Sequence, residues 1–87
     1  MKIENSDLRA IVARALGVEE SAVTESAEVG HPPEWDSLGH LRVCLAVEER
    51  FAVGLGLEEI AEVTSIERLK NFLANRASAG EDRRNWR

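Results

Sequence analysis

The residues with the most distinctive chemistry lie in the segment Glu34-Trp35-Asp36-Ser37-Leu38. Asp36 suits a helix N-cap, because its side-chain oxygen can accept a hydrogen bond from a free N–H group of the first turn. Ser37 would then occupy the first helical position, with its hydroxyl exposed at the positive end of the helix dipole. A phosphate on that hydroxyl would lie near unpaired backbone N–H groups. No His or Lys is placed to activate Ser37, so it suits a modification better than nucleophilic catalysis.

A second reactive pair is Cys44 with His40, four residues apart on one predicted helix. A catalytic pair would also need an oxyanion site, which the sequence does not supply. We therefore expect Cys44 to be a small buried apolar residue and His40 a packed or capping side chain. No second His or acid sits at metal-ligand spacing from His40, and His31 carries no pattern. With a single cysteine, we expect neither an internal disulfide nor a metal site.

Ser37 must be positioned by helices, since the apolar periodicity is helical and no strand-period run is present. The fold class is predicted to be all-α, a small four-helix bundle with three main helices, one short helix and a long first loop. The predicted ranges are residues 6–16, 37–51, 58–62 and a last helix that opens at Thr64. Leu57, Ile60 and Ala61 repeat at helical spacing around the short helix.

Several residues are predicted to cap or stop these helices. Asn5 or Ser6 caps the first helix, and Gly17 stops it. Thr64 and Glu67 fit a capping box that opens the last helix.

The connection over residues 17–36 is long for so small a domain, so it should be anchored to the core. Pro32-Pro33 favours extended backbone there, and a short helical turn is plausible around Glu19–Val23. The candidate anchors are Val18, Val23 and Val29.

The second predicted helix has two apolar faces. Val43, Val47 and Phe51, at intervals of four, should be core, and the opposite face carries Leu38, Leu41 and Leu45. The leucine stripe is either a docking surface for partners or is covered by the 17–36 loop or the tail. Glu48 and Glu49 would border the stripe and give it an acidic rim.

Length and charge limit the classes of function. The 87 residues suffice for one small domain, predicted over residues 1–76, and residues 77–87 lack periodicity and should form a flexible tail. Residues 1–75 carry seven lysines and arginines against fourteen acidic residues, and this acidity argues against nucleic acid as a partner. With no apolar run of membrane-spanning length and no signal-like N-terminus, we expect a cytoplasmic monomer that does not bind membranes.

Over residues ~5–75 the sequence resembles the acyl carrier protein family, including its peptidyl and aminoacyl carriers. The family's parts occur in order. They are a first helix ending Leu16-Gly17-Val18, a loop with Val23-Thr24 and Ala27-Glu28-Val29, then Asp36-Ser37-Leu38, Val47-Glu48-Glu49-Arg50-Phe51, a leucine near position 55 and Val63-Thr64-Ser65-Ile66.

The resemblance implies that the protein is not an enzyme. In the family, the motif serine receives 4′-phosphopantetheine from coenzyme A, and this serine corresponds to Ser37. The terminal thiol of the arm then holds the cargo as a thioester. The family's Asp before the serine helps the transferase bind its metal, and it corresponds to Asp36. The Leu after the serine lies on the surface that faces partners, and it corresponds to Leu38. The implied partners are a phosphopantetheinyl transferase and an acyl- or aminoacyl-carrier ligase or synthase.

The sequence departs from the fatty-acid carriers at Gly39 and Arg42, which stand where acidic residues are usual, and at Pro32-Pro33-Glu34-Trp35. It is closer to stand-alone specialised carriers, so a fatty acyl, a short acyl and an aminoacyl cargo all stay open. One alternative is an unmodified helical adaptor that binds partners through the leucine stripe. Another is a small enzyme that uses Ser37 or Cys44.

Overall fold

The computed structural model describes residues 3–78, and within this range the chain is all-α, as predicted. Three longer helices and one short helix follow one another, with a 3-10 turn at Glu20–Ala22 where a helical turn was expected. The helices are α1 (Asn5–Leu16), α2 (Ser37–Phe51), α3 (Leu57–Glu62) and α4 (Ile66–Ser78). None of them is both long and apolar enough to span a membrane.

The core is formed mainly by aliphatic side chains from α1, α2 and α4, which are buried because apolar periodicity gives each helix one inward face. Full burial of one such side chain contributes about 1.5–3 kcal/mol. Phe51 was predicted as core but is only partly buried, since it packs at the edge of the cluster. The fully buried aliphatic side chains are Leu8, Val12, Val23, Val43, Val47, Val63, Ile66 and Leu69.

Two of the predicted helix starts are corrected. The N-cap of α1 is Glu4, whose side chain makes no capping hydrogen bond, and Asn5 is already helical. At α4, the Ser65 hydroxyl accepts from the Arg68 N–H at 3.0 Å, so Ser65 rather than Thr64 caps the helix. The first loop determines this one-residue shift, because the Thr64 carbonyl already accepts from Val29 N–H at 2.9 Å.

The helix ends agree better with the sequence. Gly17 ends α1 with φ at 73°, a left-handed conformation that suits glycine because it has no Cβ. Helix α4 continues to Ser78, two residues into the segment predicted as a tail. Residues 79–87 lie outside the described range, so the flexible tail stays a prediction.

The first loop is anchored, but not by all the predicted residues. Val23 is fully buried and Val18 is partly buried, whereas Val29 is 40% exposed and contributes its backbone instead. The backbone of the loop pairs with the start of α4, where Ile66 N–H donates to Ala27 oxygen at 3.0 Å. The main side-chain anchor is Trp35, which has no exposed surface.

Helix α3 is held to the bundle less extensively than the others. Leu57 was placed on its apolar repeat but is 87% exposed, and no residue within the helix is fully buried. Ile60 packs partly against the core, and Val63, directly after the helix, is fully buried. A six-residue helix offers room for only about one inward-facing turn, which explains why Leu57 finds no place in the core.

Candidate functional site

Ser37 is the first residue of α2 and is exposed. Asp36 is the N-cap, as predicted, and its Oδ1 accepts from Gly39 N–H at 2.8 Å. The N–H groups of Ser37 and Leu38 donate to no other group among the described residues. The positive end of the helix dipole and two free donors therefore lie beside the Ser37 hydroxyl, an arrangement that favours an attached anion.

Trp35 fixes the chain immediately before this site. Its indole Nε1–H donates to Nδ1 of His40 at 3.0 Å, and Nε2 of His40 lies 2.7 Å from the carbonyl oxygen of Ile60. The indole N–H can only donate and the carbonyl can only accept, so Nδ1 of His40 accepts and Nε2 carries the hydrogen. The chain of hydrogen bonds ties the segment before Ser37 to α2 and onward to α3.

The catalytic pairing of Cys44 with His40 is contradicted by this geometry. The Sγ atom lies 3.7 Å from Nε2 of His40, and that nitrogen already carries the proton donated to Ile60. Burial, with a smaller contribution from Glu48, raises the pKa of the Cys44 thiol from 9.0 to about 11. A protonated thiol beside a donating nitrogen cannot act as a nucleophile at neutral pH. His40 is the packed side chain that the sequence indicated.

Gly39 packs against the loop before the site more tightly than any side chain could. A Cβ atom at this position would lie 2.8 Å from Leu16 Cδ2 and closer still to the carbonyl oxygen of Glu34. Glycine is therefore required by contact rather than by backbone conformation. The sequence indicated only that Gly39 stands where an acidic residue is usual in the family. It gave no local sign that the loop carbonyl of Glu34 lies against this position.

The leucine stripe of α2 is exposed, as the docking interpretation requires. Leu38, Leu41 and Leu45 expose 58%, 48% and 64% of their surface, whereas Val43 and Val47 on the opposite side expose none. The first loop does not cover them, and the tail, which the sequence offered as the other cover, lies outside the described residues from position 79 onward. Ser37 lies at the N-terminal end of this stripe, so a group attached to it would emerge beside three exposed apolar side chains.

The acidic rim predicted for that stripe is only partly present. Oε2 of Glu48 accepts from Leu55 N–H at 2.8 Å, so this carboxylate caps the loop after α2 instead of standing free. Glu49 is exposed but lines a groove between α1 and α2, together with Arg14 and Arg50. The groove has a volume of about 620 Å³.

Arg42 is exposed and forms no hydrogen bond or ion pair with any described residue. It lines a shallow depression of about 190 Å³ next to Ser37, which also includes Leu38, Glu34 and Asp36. Within residues 3–78, no group of three or more His, Cys, Asp or Glu side chains converges in a way that could hold a metal ion.

Comparison with known proteins finds several acyl carrier proteins, although no family model matches the chain. An acyl carrier protein of Rubrobacter xylanophilus is 31% identical over 72 residues, which cover 83% of this chain and 89% of the relative. The chain belongs to the acyl carrier protein family. Acyl carrier proteins of Phaeodactylum tricornutum and Guillardia theta are 26% and 24% identical over 84% and 83% of this chain, and over 96% and 89% of their own lengths.

Membership of the acyl carrier protein family agrees with the all-α architecture. The sequence did not reveal the roles of two residues that shape the site. Trp35 was placed in the motif but given no role, although a tryptophan two residues after a proline pair and directly before a helix cap is a candidate loop anchor. Gly39 could be recognised only from the packed structure.

Proposed function

We propose that this protein is a carrier that holds acyl or aminoacyl intermediates as thioesters on a 4′-phosphopantetheine arm attached to Ser37. The observation that carries the proposal is the exposed Ser37 hydroxyl at the start of α2, next to two free N–H donors. Membership of the acyl carrier protein family supports the same role.

The residues around Ser37 suit a covalently attached phosphodiester. In the attachment, the Ser37 oxygen would bond to the β-phosphorus of coenzyme A, the pyrophosphate bond would break, and 3′,5′-ADP would leave. The free N–H groups of Ser37 and Leu38 would stabilise the phosphate charge. Asp36 would hold the helix start through Gly39 N–H, and we propose that it also contributes to metal binding by the transferase. The arm would supply the thiol that carries the cargo.

The proposed partners are a phosphopantetheinyl transferase and an acyl- or aminoacyl-carrier ligase or synthase, which would meet the protein in the cytoplasm as a monomer. A flexible arm on a rigid helix end lets one small domain present the same cargo to several enzymes. The partners would read the stripe formed by Leu38, Leu41 and Leu45, because it is apolar, exposed and next to the attachment point.

The test is incubation with a broad-specificity phosphopantetheinyl transferase, Mg²⁺ and coenzyme A, followed by intact-mass measurement. The wild type should gain the mass of one phosphopantetheine. Ser37→Ala should keep its helical circular dichroism and gain nothing, while Ser6→Ala, which changes an exposed serine on α1, should be modified like the wild type. Modification of Ser37→Ala would contradict the assignment.

An unmodified helical adaptor is the second candidate, and the exposed leucine stripe is the observation that favours it. The same experiment separates the two, since an adaptor would show no mass gain in any variant. If the mass gain is found, identification of the ligase that charges the holo protein would distinguish acyl from aminoacyl cargo.

A further inference from the structure

The leucine stripe has a cation, Arg42, directly beside it that is unpaired among the described residues. Arg42 is four residues from Leu38 and three from Leu45, and residues at these spacings are neighbours on the surface of a helix. The side chain of Arg42 is exposed and is paired with no described residue. Its charge is therefore available to a molecule that docks on the stripe.

Two of the acids near the stripe are engaged in hydrogen bonds to the backbone. The carboxylate of Glu48 accepts the Leu55 N–H at 2.8 Å, and that of Asp36 accepts the Gly39 N–H at 2.8 Å. Glu49 is exposed four residues after Leu45, and it also lines the groove on the α1 side together with Asp7, Arg14 and Arg50. The acid left in the depression with Arg42 is Glu34, which belongs to the loop before the helix.

We propose that Arg42 selects partner enzymes whose docking surface combines an apolar patch for the three leucines with a carboxylate opposite the guanidinium. The proposal rests on the carrier function proposed above and specifies which partners that carrier serves. An unpaired guanidinium repels a basic docking surface and forms a charge-assisted, two-pronged hydrogen bond with a carboxylate. Such a pair at the edge of an interface acts mainly on partner choice and on the association rate.

The probe is an acyl–carrier synthetase that docks carriers through a lysine- and arginine-rich patch. Binding to it is measured in the Ser37→Ala background, so that docking is observed without the arm. In this background Arg42→Glu should bind the synthetase about three- to tenfold more tightly at low salt, and the gain should shrink at high salt. Arg14→Glu is the matched control, because it makes the same charge change on α1 away from the leucines and should gain less than twofold.

The reciprocal change tests the carboxylate directly. Each lysine of the synthetase patch is replaced by glutamate in turn, and at least one of these variants should bind the Arg42 protein more tightly than the Arg42→Glu protein. This reversal of preference is what a carboxylate opposite Arg42 predicts, and a general effect of net charge would not produce it.

The possible outcomes separate this proposal from the proposed function. Equal gains for Arg42→Glu and Arg14→Glu, or no gain for either, would overturn the role of Arg42 even if Ser37 is modified normally. A failure of Ser37 to accept phosphopantetheine would overturn the carrier function. The binding measurements would then still report whether Arg42 determines which surface docks.

Discussion

Replacing Gly39 by alanine tests whether the site depends on the close approach of the first loop to α2. The added Cβ would lie 2.8 Å from Leu16 Cδ2 and 3.2 Å from Asp36 Oδ1, and closer still to the carbonyl oxygen of Glu34. The end of a leucine side chain can rotate away, but a backbone carbonyl moves only if the loop moves. The substitution therefore pushes the segment that carries Trp35 and Asp36 away from the helix.

Two opposing terms set the size of the effect. Alanine is favoured over glycine within a helix by roughly 1 kcal/mol, which would stabilise the protein if space were available. Overpacking of a tight contact costs roughly 1–3 kcal/mol, and the backbone contact places Gly39→Ala toward the upper end. The net expectation is a loss of about 1–2 kcal/mol, which corresponds to a melting temperature lower by roughly 5–15 °C for a domain of this size.

The assay is urea denaturation of Gly39→Ala followed by circular dichroism at 222 nm, with Gly54→Ala as the control. A Cβ at Gly54 would meet nothing within 4 Å, so that variant should match the wild type or exceed it slightly. The rate of Ser37 modification should also fall in Gly39→Ala, because the Asp36 cap shifts with the loop. If Gly39→Ala unfolds at the same or a higher urea concentration than the wild type, the close contact carries no energetic cost and the reasoning fails.

Three further predictions concern other parts of α2. Val47→Ala should lose about 2–3 kcal/mol of unfolding free energy, whereas Leu41→Ala should lose less than about 1 kcal/mol because its side chain is half exposed. Equal losses in chemical denaturation would mean that both faces are buried. Cys44 should resist alkylation by iodoacetamide at pH 8 until the protein unfolds, because its pKa is raised to about 11. The raised pKa means that the native state holds the Cys44 proton more tightly than the unfolded chain does. The free energy of unfolding should therefore decline as the pH rises from 9.0 toward about 11, because the unfolded chain loses this proton first. A Cys44→Ala variant should lack that decline.

Local patterns were sufficient for the part of the site that lies on one helix. Asp36 as a cap, Ser37 at the first position and the outward leucines all follow from residue types at helical spacing. The fold class was equally accessible, because four apolar stripes of helical period leave few alternatives. The sequence could not predict that Ser65 rather than Thr64 caps α4, because either hydroxyl fits the pattern. The loop around Val29 decides between them.

The remaining features depend on contacts between distant segments. Trp35 is buried because the loop folds over His40, and Glu48 is engaged because Leu55 returns to it after the end of α2. A glutamate on a predicted helix normally faces solvent, so the sequence predicted that Glu48 would be free to border the leucine stripe. The charge available to a partner therefore had to be read from the structure.

Helix α2 carries its core residues and the proposed docking stripe on opposite sides, with Val43 and Val47 inside and Leu38, Leu41 and Leu45 outside. Substitutions on two such faces share few contacts, so their effects on folding should be nearly independent. A lineage can then change its partners by accumulating outward substitutions without crossing a stability threshold. Duplicated copies of such a gene could diverge into separate pathways while each copy keeps the same interior, so the division of this one helix favours evolutionary diversification.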